Sequence, residues 1–376
     1  MLLLQSAAVI DIATILGYAV QGGASDVHLK VGLPPLFRVS GGMVPLRNGQ
    51  RLTQQDMEQL SAAMTTREQH EKFVKERELD FAYVVQGLGR FRVNLFVQRM
   101  QAGMVLRVIP TEVKSIQELS LPPILEKISS EHRGLVLVTG ATGSGKSTTL
   151  AALINHINAQ RTAHIVTIED PIEFQFRDKR SIINQREVGT DTNSFARALR
   201  ASLRQDPDVI LVGEMRDAET IETALTAAET GHLVLSTLHT VDAPETINRI
   251  IGAFPPYQHK QIRMQIAGNL KSVISQRLLK RADGRGRVAA QEIMLVTARI
   301  REIILEEGRS SEIREAIGQG NTNYGMQTFD QSLMGLLQSG LITRDDALAN
   351  CTNKDDFLLR LSGVQATSDT RWDQFE

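Results

Sequence analysis

The chain has 376 residues, of which 42% are hydrophobic and 23% are charged, and this composition is typical of a folded protein with two or three domains. Its 42 Lys and Arg residues nearly balance 43 Asp and Glu residues, so we expect no nucleic-acid partner. Cys351 is the single cysteine, which excludes an internal disulfide and a thiolate zinc cluster and is typical of a reducing cytoplasm.

The N-terminal segment, residues 1–20, is apolar, but no Lys or Arg precedes Lys30, and Gln5 and Asp11 interrupt the run. This pattern disfavours both a signal peptide and a membrane span. Five apolar residues instead lie near helical spacing, namely Leu4, Ile12, Ile15, Leu16 and Ala19. We therefore predict a first amphipathic helix that packs on its own domain.

Residues 1–108 predict a small α+β domain. Apolar and polar residues alternate from Phe91 to Val97, as in a half-buried strand, and Thr53 with Asp56 forms the capping-box signature of a helix start. Prolines then punctuate residues 109–122, which we predict to be an interdomain linker.

Residues 123–290 predict a different architecture, because continuous apolar runs alternate there with helical stretches. The runs are Leu135 to Val138, Ile165 to Ile168, Val209 to Val212, and Leu233 to Leu235. Such runs indicate strands buried on both faces, and hence an α/β domain with a parallel sheet covered by helices. Residues 291–363 predict a helical C-terminal region, and residues 364–376 predict a polar tail.

A phosphate-binding motif lies between the first apolar run and a helical stretch from about Thr148. Residues 140–147 match G-x-x-x-x-G-K-[ST], in which the glycines permit a tight loop at a helix N-terminus. Lys146 would neutralise charge on the β- and γ-phosphates, and Ser147 would ligate Mg²⁺. ATP and Mg²⁺ are therefore the predicted cofactors. The predicted nucleotide-binding residues here are Gly140, Thr142, Gly143, Ser144, Gly145, Lys146, Ser147 and Thr148.

Two acidic positions follow predicted strands and are candidates for the hydrolytic chemistry. Glu214 follows the run from Val209, and because hydrolysis requires a carboxylate that orients water, we predict that it is catalytic. Many P-loop enzymes carry an Asp before this Glu, whereas this chain has Gly213. Glu169 follows another strand of the same sheet, and we predict a catalytic or Mg²⁺-binding role for it. Which carboxylate orients the water stays open.

Two histidines bracket the run Leu233 to Leu235. His239 follows the run at its carboxyl end, where a ring nitrogen could donate to a γ-phosphate, and His232 precedes it. Each histidine taken singly is more often structural than functional.

These motifs together resemble the secretion-type traffic ATPases, and within them the type IV pilus retraction ATPases, over nearly the whole chain. The segments that carry the resemblance are GGASDVHLK (22–30), GRFRVNLFVQR (89–99), GATGSGKST (140–148), TIEDPIEF (167–174), RQDPDVILVGEMRD (204–217) and TGHLVLSTLHT (230–240). The resemblance implies a PAS-like α+β N-terminal domain, a RecA-like P-loop NTPase domain, and a homohexamer whose sites lie between domains and subunits.

The resemblance also implies roles for particular residues. Glu214 corresponds to the catalytic glutamate, and Glu169 and Glu173 to acidic-box residues near Mg²⁺ and water. His232 and His239 correspond to a pair of histidines at the nucleotide. A further pair, Arg92 and Arg107, corresponds to arginines that reach from an N-terminal domain toward a phosphate across an interface, a role that suits the permanently charged guanidinium.

The implied function is an ATP-hydrolysing motor that depolymerises a type IV pilus and drives twitching motility. The implied partners are an inner-membrane pilus platform protein and an accessory retraction ATPase, at the cytoplasmic side of the pilus base. Pilus extension ATPases carry a tetracysteine zinc motif, which a chain with a single cysteine cannot form. The cysteine count therefore favours retraction over extension.

The sequence leaves other functions possible. GMQTFDQSL (325–333) is also similar to accessory retraction ATPases, and residues 299–306 match the retraction-type signature only loosely. The further alternatives are a secretion or DNA-transfer motor and a non-motor protein that binds ATP as a switch.

Overall fold

A computed structural model describes residues 11–39, 41–110 and 112–362. The chain divides into two compact units, Met1–Glu112 with Glu173–Gln175, and Val113–Ile172 with Phe176–Glu376. The division after Glu112 falls within the segment 109–122, whose role as a linker stays a prediction. Leu4 and the predicted polar tail lie outside the described residues.

The described residues of the first unit form three helices and a six-stranded antiparallel sheet. Its elements are α1 (Ile12–Gln21), β1 (Asp26–Lys30), β2 (Leu36–Val39), β3 (Gly42–Pro45), α2 (Gln54–Met64), α3 (Arg67–Glu76), β4 (Glu78–Val85), β5 (Gly89–Gln98) and β6 (Gln101–Ile109). The strand order is β3-β2-β1-β6-β5-β4. The unit is α+β as predicted, while its PAS-like character stays a prediction.

Local sequence signals account for the helices of this unit. Asp11 caps α1 by accepting hydrogen bonds from the backbone N–H groups of Ala13 and Thr14. The predicted capping box at α2 is present, with Thr53 and Asp56 each bonding the other's backbone N–H. The apolar face of α1 is buried, which confirms its predicted amphipathic packing.

The second unit begins with an α/β arrangement. Its elements are α4 (Ile124–Ser129), β7 (Gly134–Thr139), α5 (Lys146–Gln160), β8 (His164–Glu169), β9 (Ile182–Glu187), α6 (Phe195–Ser202), β10 (Val209–Val212), α7 (Ala218–Glu229), β11 (Leu233–Leu238), α8 (Ala243–Gly252), α9 (His259–Asn269), β12 (Leu270–Lys280) and β13 (Arg287–Leu295). The seven-stranded sheet has the order β13-β12-β7-β11-β10-β8-β9. All neighbours pair in parallel except β12 and β13.

The predicted buried strands are confirmed, because every residue of β7, β10 and β11 is buried. Alternate residues of each strand enter two cores on opposite faces of the sheet. Val136 and Val138 pack with Leu150 and Leu153 of α5, whereas Leu137 packs in the other core with Leu225 of α7. The helices therefore cover both faces of a largely parallel sheet.

Between the sheet and residue 362, where the described part of the chain ends, the α-helices are α10 (Ala298–Leu305), α11 (Ile313–Gln319), α12 (Asn321–Tyr324), α13 (Phe329–Gln338), α14 (Arg344–Asn350) and α15 (Lys354–Leu361). The predicted domain boundary at residue 290 is corrected, since β13 runs through it. Ile300 and Ile317, on α10 and α11, are buried in the same core as Ile210 of β10, so these helices do not form a separate unit. No helix in the described part of the chain is both long and apolar enough to cross a membrane.

Candidate nucleotide-binding site

The loop between β7 and α5 has the backbone conformation of a phosphate-binding loop. Gly140, Gly143 and Gly145 have φ angles of 141°, 79° and 89°, which residues with a side chain rarely adopt. A Cβ on Gly140 would lie 2.5 Å from the carbonyl oxygen of Gln276 on β12, and a Cβ on Gly145 would lie 2.8 Å from the Gln276 Nε2 atom. The glycines thus allow both a tight turn and a close approach to the neighbouring strand.

Lys146 is the first residue of α5, and its side chain folds back over the loop. Its Nζ atom donates hydrogen bonds to the carbonyl oxygens of Gly140 at 2.9 Å and Ala141 at 3.1 Å, and the residue is 8% exposed. The ammonium group and the helix N-terminus therefore place positive charge at the same loop. Ser147 follows and is half-buried.

The residues of the loop fit a bound phosphate chain. The Ser144 hydroxyl is buried and has no hydrogen-bond partner among the described residues. Helix α5 begins at Lys146, and its N-cap residue, Gly145, has no side-chain capping bond in the part of the chain that is described, so the first N–H groups of the helix are open toward the loop. A buried polar atom, open backbone donors and a lysine form the donor set that an anionic phosphate requires.

Glu214 lies just beyond the end of β10, and two cationic or potentially cationic side chains contact it. Its carboxylate is 2.7 Å from the Arg216 Nε atom and 3.5 Å from the His239 Nε2 atom, and the Glu214 side chain is 14% exposed. Thr237 fixes the preceding backbone by donating to the carbonyl oxygen of Gly213 at 2.7 Å. The carboxylate is therefore held in place but still reaches solvent.

The glycine before Glu214 has a steric explanation. A Cβ on Gly213 would lie 3.2 Å from the carbonyl oxygen of Ile168, 3.3 Å from the Phe195 ring and 3.4 Å from the Glu169 Cα atom. An Asp at this position would therefore crowd β8 and the Phe195 ring, which accounts for a glycine where many P-loop enzymes carry an Asp.

Glu169 is the last residue of β8 and is buried. Its Oε1 atom accepts hydrogen bonds from the Thr167 hydroxyl at 2.6 Å and from the Gln185 side-chain amide at 3.1 Å. Thr167 and Glu169 lie on the sheet face that α5 covers, because Ile165 of the same face packs in the core with α5. Glu173 is exposed and groups with the first unit, and its predicted nucleotide contact stays a prediction.

The parallel strands bring four of the predicted residues to one edge of the sheet. Strands β7, β8, β10 and β11 run in the same direction, so their carboxyl ends carry Lys146, Glu169, Glu214 and His239 on that edge. Ligands of open α/β sheets bind at this edge.

His232 lies at the opposite edge of the sheet. It precedes β11, its carbonyl oxygen accepts from Gly134 N–H at the start of β7, and its Nδ1 atom is 2.9 Å from the carbonyl oxygen of Ala227. The six residues of β11 lie between His232 and His239, and at about 3.3 Å per residue step the two histidines are roughly 20 Å apart or more. His232 therefore does not share the carboxyl edge with His239 in this chain, and its predicted role at the nucleotide stays a prediction.

Arg92 and Arg107 are brought together in the first unit, directly opposite each other on β5 and β6. Arg92 lies 4.0 Å from Asp80, and Arg107 donates to Asp26 at 3.0 Å. Burial acts to raise the pKa of Asp26, but hydrogen bonds from Ser25 and Arg107 outweigh it, so the pKa is lowered. The side chains of Arg92 and Arg107 are 45% and 66% exposed, and each has a carboxylate partner within the unit. Their action on a phosphate across an interface stays a prediction.

No group of three or more His, Cys, Asp or Glu residues within the described ranges forms a metal site. Mg²⁺ in nucleotide enzymes is held by one or two protein groups together with phosphate oxygens, so such a cluster is not required. The donor set of Ser147 and Glu169 is compatible with this mode, and their Mg²⁺ contacts stay a prediction.

Two polar residues of the site region were missed by sequence reasoning. Gln276 on β12 contacts the phosphate-binding loop, and Glu292 on β13 accepts a hydrogen bond at 2.9 Å from Ala243 N–H at the start of α8. Burial raises the pKa of Glu292 to about 7 against the lowering effect of this N–H group. Neither residue belongs to a local motif, because the fold alone brings these strands beside the loop.

A glycine-rich loop with its lysine at the carboxyl edge of a helix-covered parallel sheet, and acidic residues at the ends of adjacent strands, define a P-loop ATPase with a RecA-like domain. The chain belongs to the type II/IV secretion system protein family, whose model matches residues 5–340.

Similarity to individual members extends over both units. The chain is 47% identical over 347 residues to the type IV pilus retraction ATPase PilT of Pseudomonas aeruginosa, which covers 92% of this chain and 100% of that protein. It is 42% identical over 356 residues to the type IV pilus ATPase PilU of the same organism, covering 94% and 92%. A crystal structure of the pilus retraction motor PilT with bound ADP matches at a TM-score of 0.84 and 45% identity, covering 92% of this chain and 98% of that one.

Proposed function

We propose that this chain is an ATP-driven motor that retracts type IV pili. The observation that carries the proposal is the placement of Lys146, Glu169, Glu214 and His239 at one sheet edge, in a chain similar to PilT over the full length of that relative. The residues at this edge can neutralise phosphate charge and orient a water molecule. The similarity to PilT supports pilus retraction as the process to which hydrolysis is coupled.

Each residue has a separate task in the proposed hydrolysis. The loop N–H groups and the Lys146 ammonium bind and neutralise the phosphates. Ser147 and Glu169 would hold Mg²⁺, which would supply further charge neutralisation. Glu214 orients the attacking water and accepts its proton. Arg216 and His239 hold the Glu214 carboxylate in one orientation, which lowers the entropy cost of aligning the water.

The proposed assembly is a homohexamer in which Arg92 and Arg107 act on the nucleotide of a neighbouring subunit. Their cross-strand pairing and exposure support this role, because two adjacent guanidinium groups gain most from a phosphate between them. ATP hydrolysis would then depend on assembly.

The proposed location is the cytoplasmic side of the inner membrane at the pilus base. The proposed partners there are the pilus platform protein and an accessory retraction ATPase, and nucleic acid is not among them, in keeping with the balanced charge. A second candidate is that this chain is itself the accessory subunit, which the similarity to PilU supports. Deletion of the gene separates the two: we expect cells that no longer retract pili if the chain is the main motor, and cells that still retract them if it is the accessory subunit.

The experiment that tests the ATPase assignment is steady-state ATP turnover of the purified assembly. Lys146→Ala should reduce turnover by at least about a hundredfold, because the desolvated ammonium acts on charge that develops on the phosphates. Lys260→Ala is the matched control, since Lys260 is exposed on α9. Equal turnover by Lys146→Ala and the unsubstituted chain contradicts the assignment.

A further inference from the structure

Gln276 makes side-chain contacts with the phosphate-binding loop from the neighbouring strand. It lies on β12 and is 3% exposed. Its Nε2 atom donates to the carbonyl oxygen of Ser144 at 2.5 Å, and its Oε1 atom accepts from the Thr149 hydroxyl at 2.8 Å. One buried amide therefore holds both the loop and the first turn of α5.

A second buried amide fixes the orientation of the first. Gln291, directly opposite Gln276 on β13, donates from Nε2 to Gln276 Oε1 at 2.9 Å. Because Gln276 Oε1 already accepts two hydrogen bonds, its Nε2 atom must face the carbonyl of Ser144. The backbone of Gln291 is held in turn by Ser332 at the start of α13 and by the side-chain amide of Gln327.

This contact determines where one loop N–H group points. In a planar trans peptide the C=O and the following N–H point in opposite directions. Anchoring the Ser144 carbonyl on Gln276 therefore aims the Gly145 N–H away from β12, at the start of α5, where backbone N–H groups bind phosphate in loops of this type.

We propose that Gln276 is a positioning residue that fixes the Ser144–Gly145 peptide so that its N–H group is presented to the nucleotide phosphates. This inference rests on the nucleotide-binding part of the proposed function. Gln276 acts through the loop backbone, and the carboxylates that orient water do not depend on it.

The test is ADP binding by isothermal titration calorimetry to the purified full-length chain. Gln276→Met removes the donor and the acceptor at similar volume, and should raise the ADP Kd at least tenfold, which corresponds to about 1.4 kcal/mol. Gln276→Asn keeps the amide but shortens the side chain, and should raise the ADP Kd similarly. If the Met variant does not fold, the ADP Kd of the Asn variant tests the role of Gln276.

Gln327→Met is the matched control, because Gln327 is a half-buried member of the same network and, within the described part of the chain, forms no hydrogen bond with the loop. It should lower the Tm while leaving the ADP Kd within about twofold. In turnover assays Gln276→Met should raise the ATP KM by the same factor as the Kd and leave kcat within about threefold, since the loop binds phosphate alike in ground and transition states.

The outcomes separate this inference from the proposed motor function. ADP binding that is equal in the unsubstituted chain and in a folded Gln276 variant overturns the inference, as does an equal loss in Gln327→Met. A chain that binds ADP with the expected differences but hydrolyses no ATP contradicts the motor and leaves the inference supported. A chain that binds no ADP overturns both.

Discussion

Glu292 is a buried carboxyl group whose charge should make the stability of the protein depend on pH. It is 1% exposed on β13, and its Oε1 atom accepts from Ala243 N–H at the first residue of α8. Burial raises its pKa from 4.5 to about 7; the Ala243 N–H, Arg314 and Arg277 oppose the rise, while nearby Asp242 adds to it.

The sign of the effect follows from proton binding. Between pH 4.5 and about 7 the unfolded chain releases the Glu292 proton while the folded chain keeps it. The contribution to stability is therefore fully present below pH 4.5 and is lost as the pH rises through about 7. At about 1.4 kcal/mol per pKa unit, the gap between these pKa values corresponds to a loss of about 3 kcal/mol.

Glu292→Gln should remove this loss, because the amide oxygen can accept the same bond from Ala243 without carrying charge. We expect the variant to be more stable than the unsubstituted chain at pH 8, by up to about 3 kcal/mol, and to gain much less at pH 5. Urea unfolding followed by circular dichroism at both pH values measures the difference.

The control for Glu292→Gln is Glu222→Gln, which removes a charge from an exposed position on α7 and should change stability by less than about 0.5 kcal/mol at either pH. The reasoning is refuted if Glu292→Gln shifts the free energy of unfolding equally at pH 5 and pH 8, or destabilises the chain at pH 8.

Three further predictions concern the site. Glu214→Gln should retain ATP affinity while kcat falls at least tenfold, as measured by binding and turnover assays. An unchanged kcat would show that a different carboxylate orients the attacking water. Gly140→Ala should weaken ADP binding and lower the Tm much more than Gly143→Ala, since only the first Cβ meets backbone, and equal effects would contradict the close approach to β12. Mixed assemblies of Arg92→Ala and Lys146→Ala subunits should recover part of the turnover that each lacks alone; no recovery in verified mixed rings would eliminate action in trans.

Features encoded in contiguous residues could be predicted from the sequence. The apolar run from Val209 to Val212 is long enough to indicate a strand buried on both faces. The glycines before Lys146 indicate a tight loop, because glycine readily adopts the positive φ angles found there. The Thr53 and Asp56 capping box likewise depends on four adjacent residues. In each case the local signal and the fold agree.

Features that depend on distant segments could not be predicted in this way. Gln276 stands between Ser275 and Arg277, and Gln291 stands between Ala290 and Glu292. Nothing local indicates that the Gln276 amide contacts the phosphate-binding loop or that the Gln291 amide contacts Gln276. The boundary at residue 290 was misplaced because the β13 segment lies close to the helical pattern of α10, and only its pairing with β12 reveals the strand.

The placement of the two histidines could be predicted from local sequence. His232 and His239 bracket one apolar run, and the strand formed by that run ends at opposite edges of the sheet. Each residue of a strand advances the chain by about 3.3 Å, so the two histidines of one chain lie far apart.

The central claim is that ATP hydrolysis at Glu214 drives pilus retraction. Its most direct test is live imaging of fluorescently labelled type IV pili in cells that lack the gene and express either the unsubstituted chain or Glu214→Gln at equal levels. We expect the unsubstituted chain to restore retraction, and Glu214→Gln to leave pili that extend but do not retract. Retraction at an equal rate with Glu214→Gln, or normal retraction in cells without the gene, would contradict the claim.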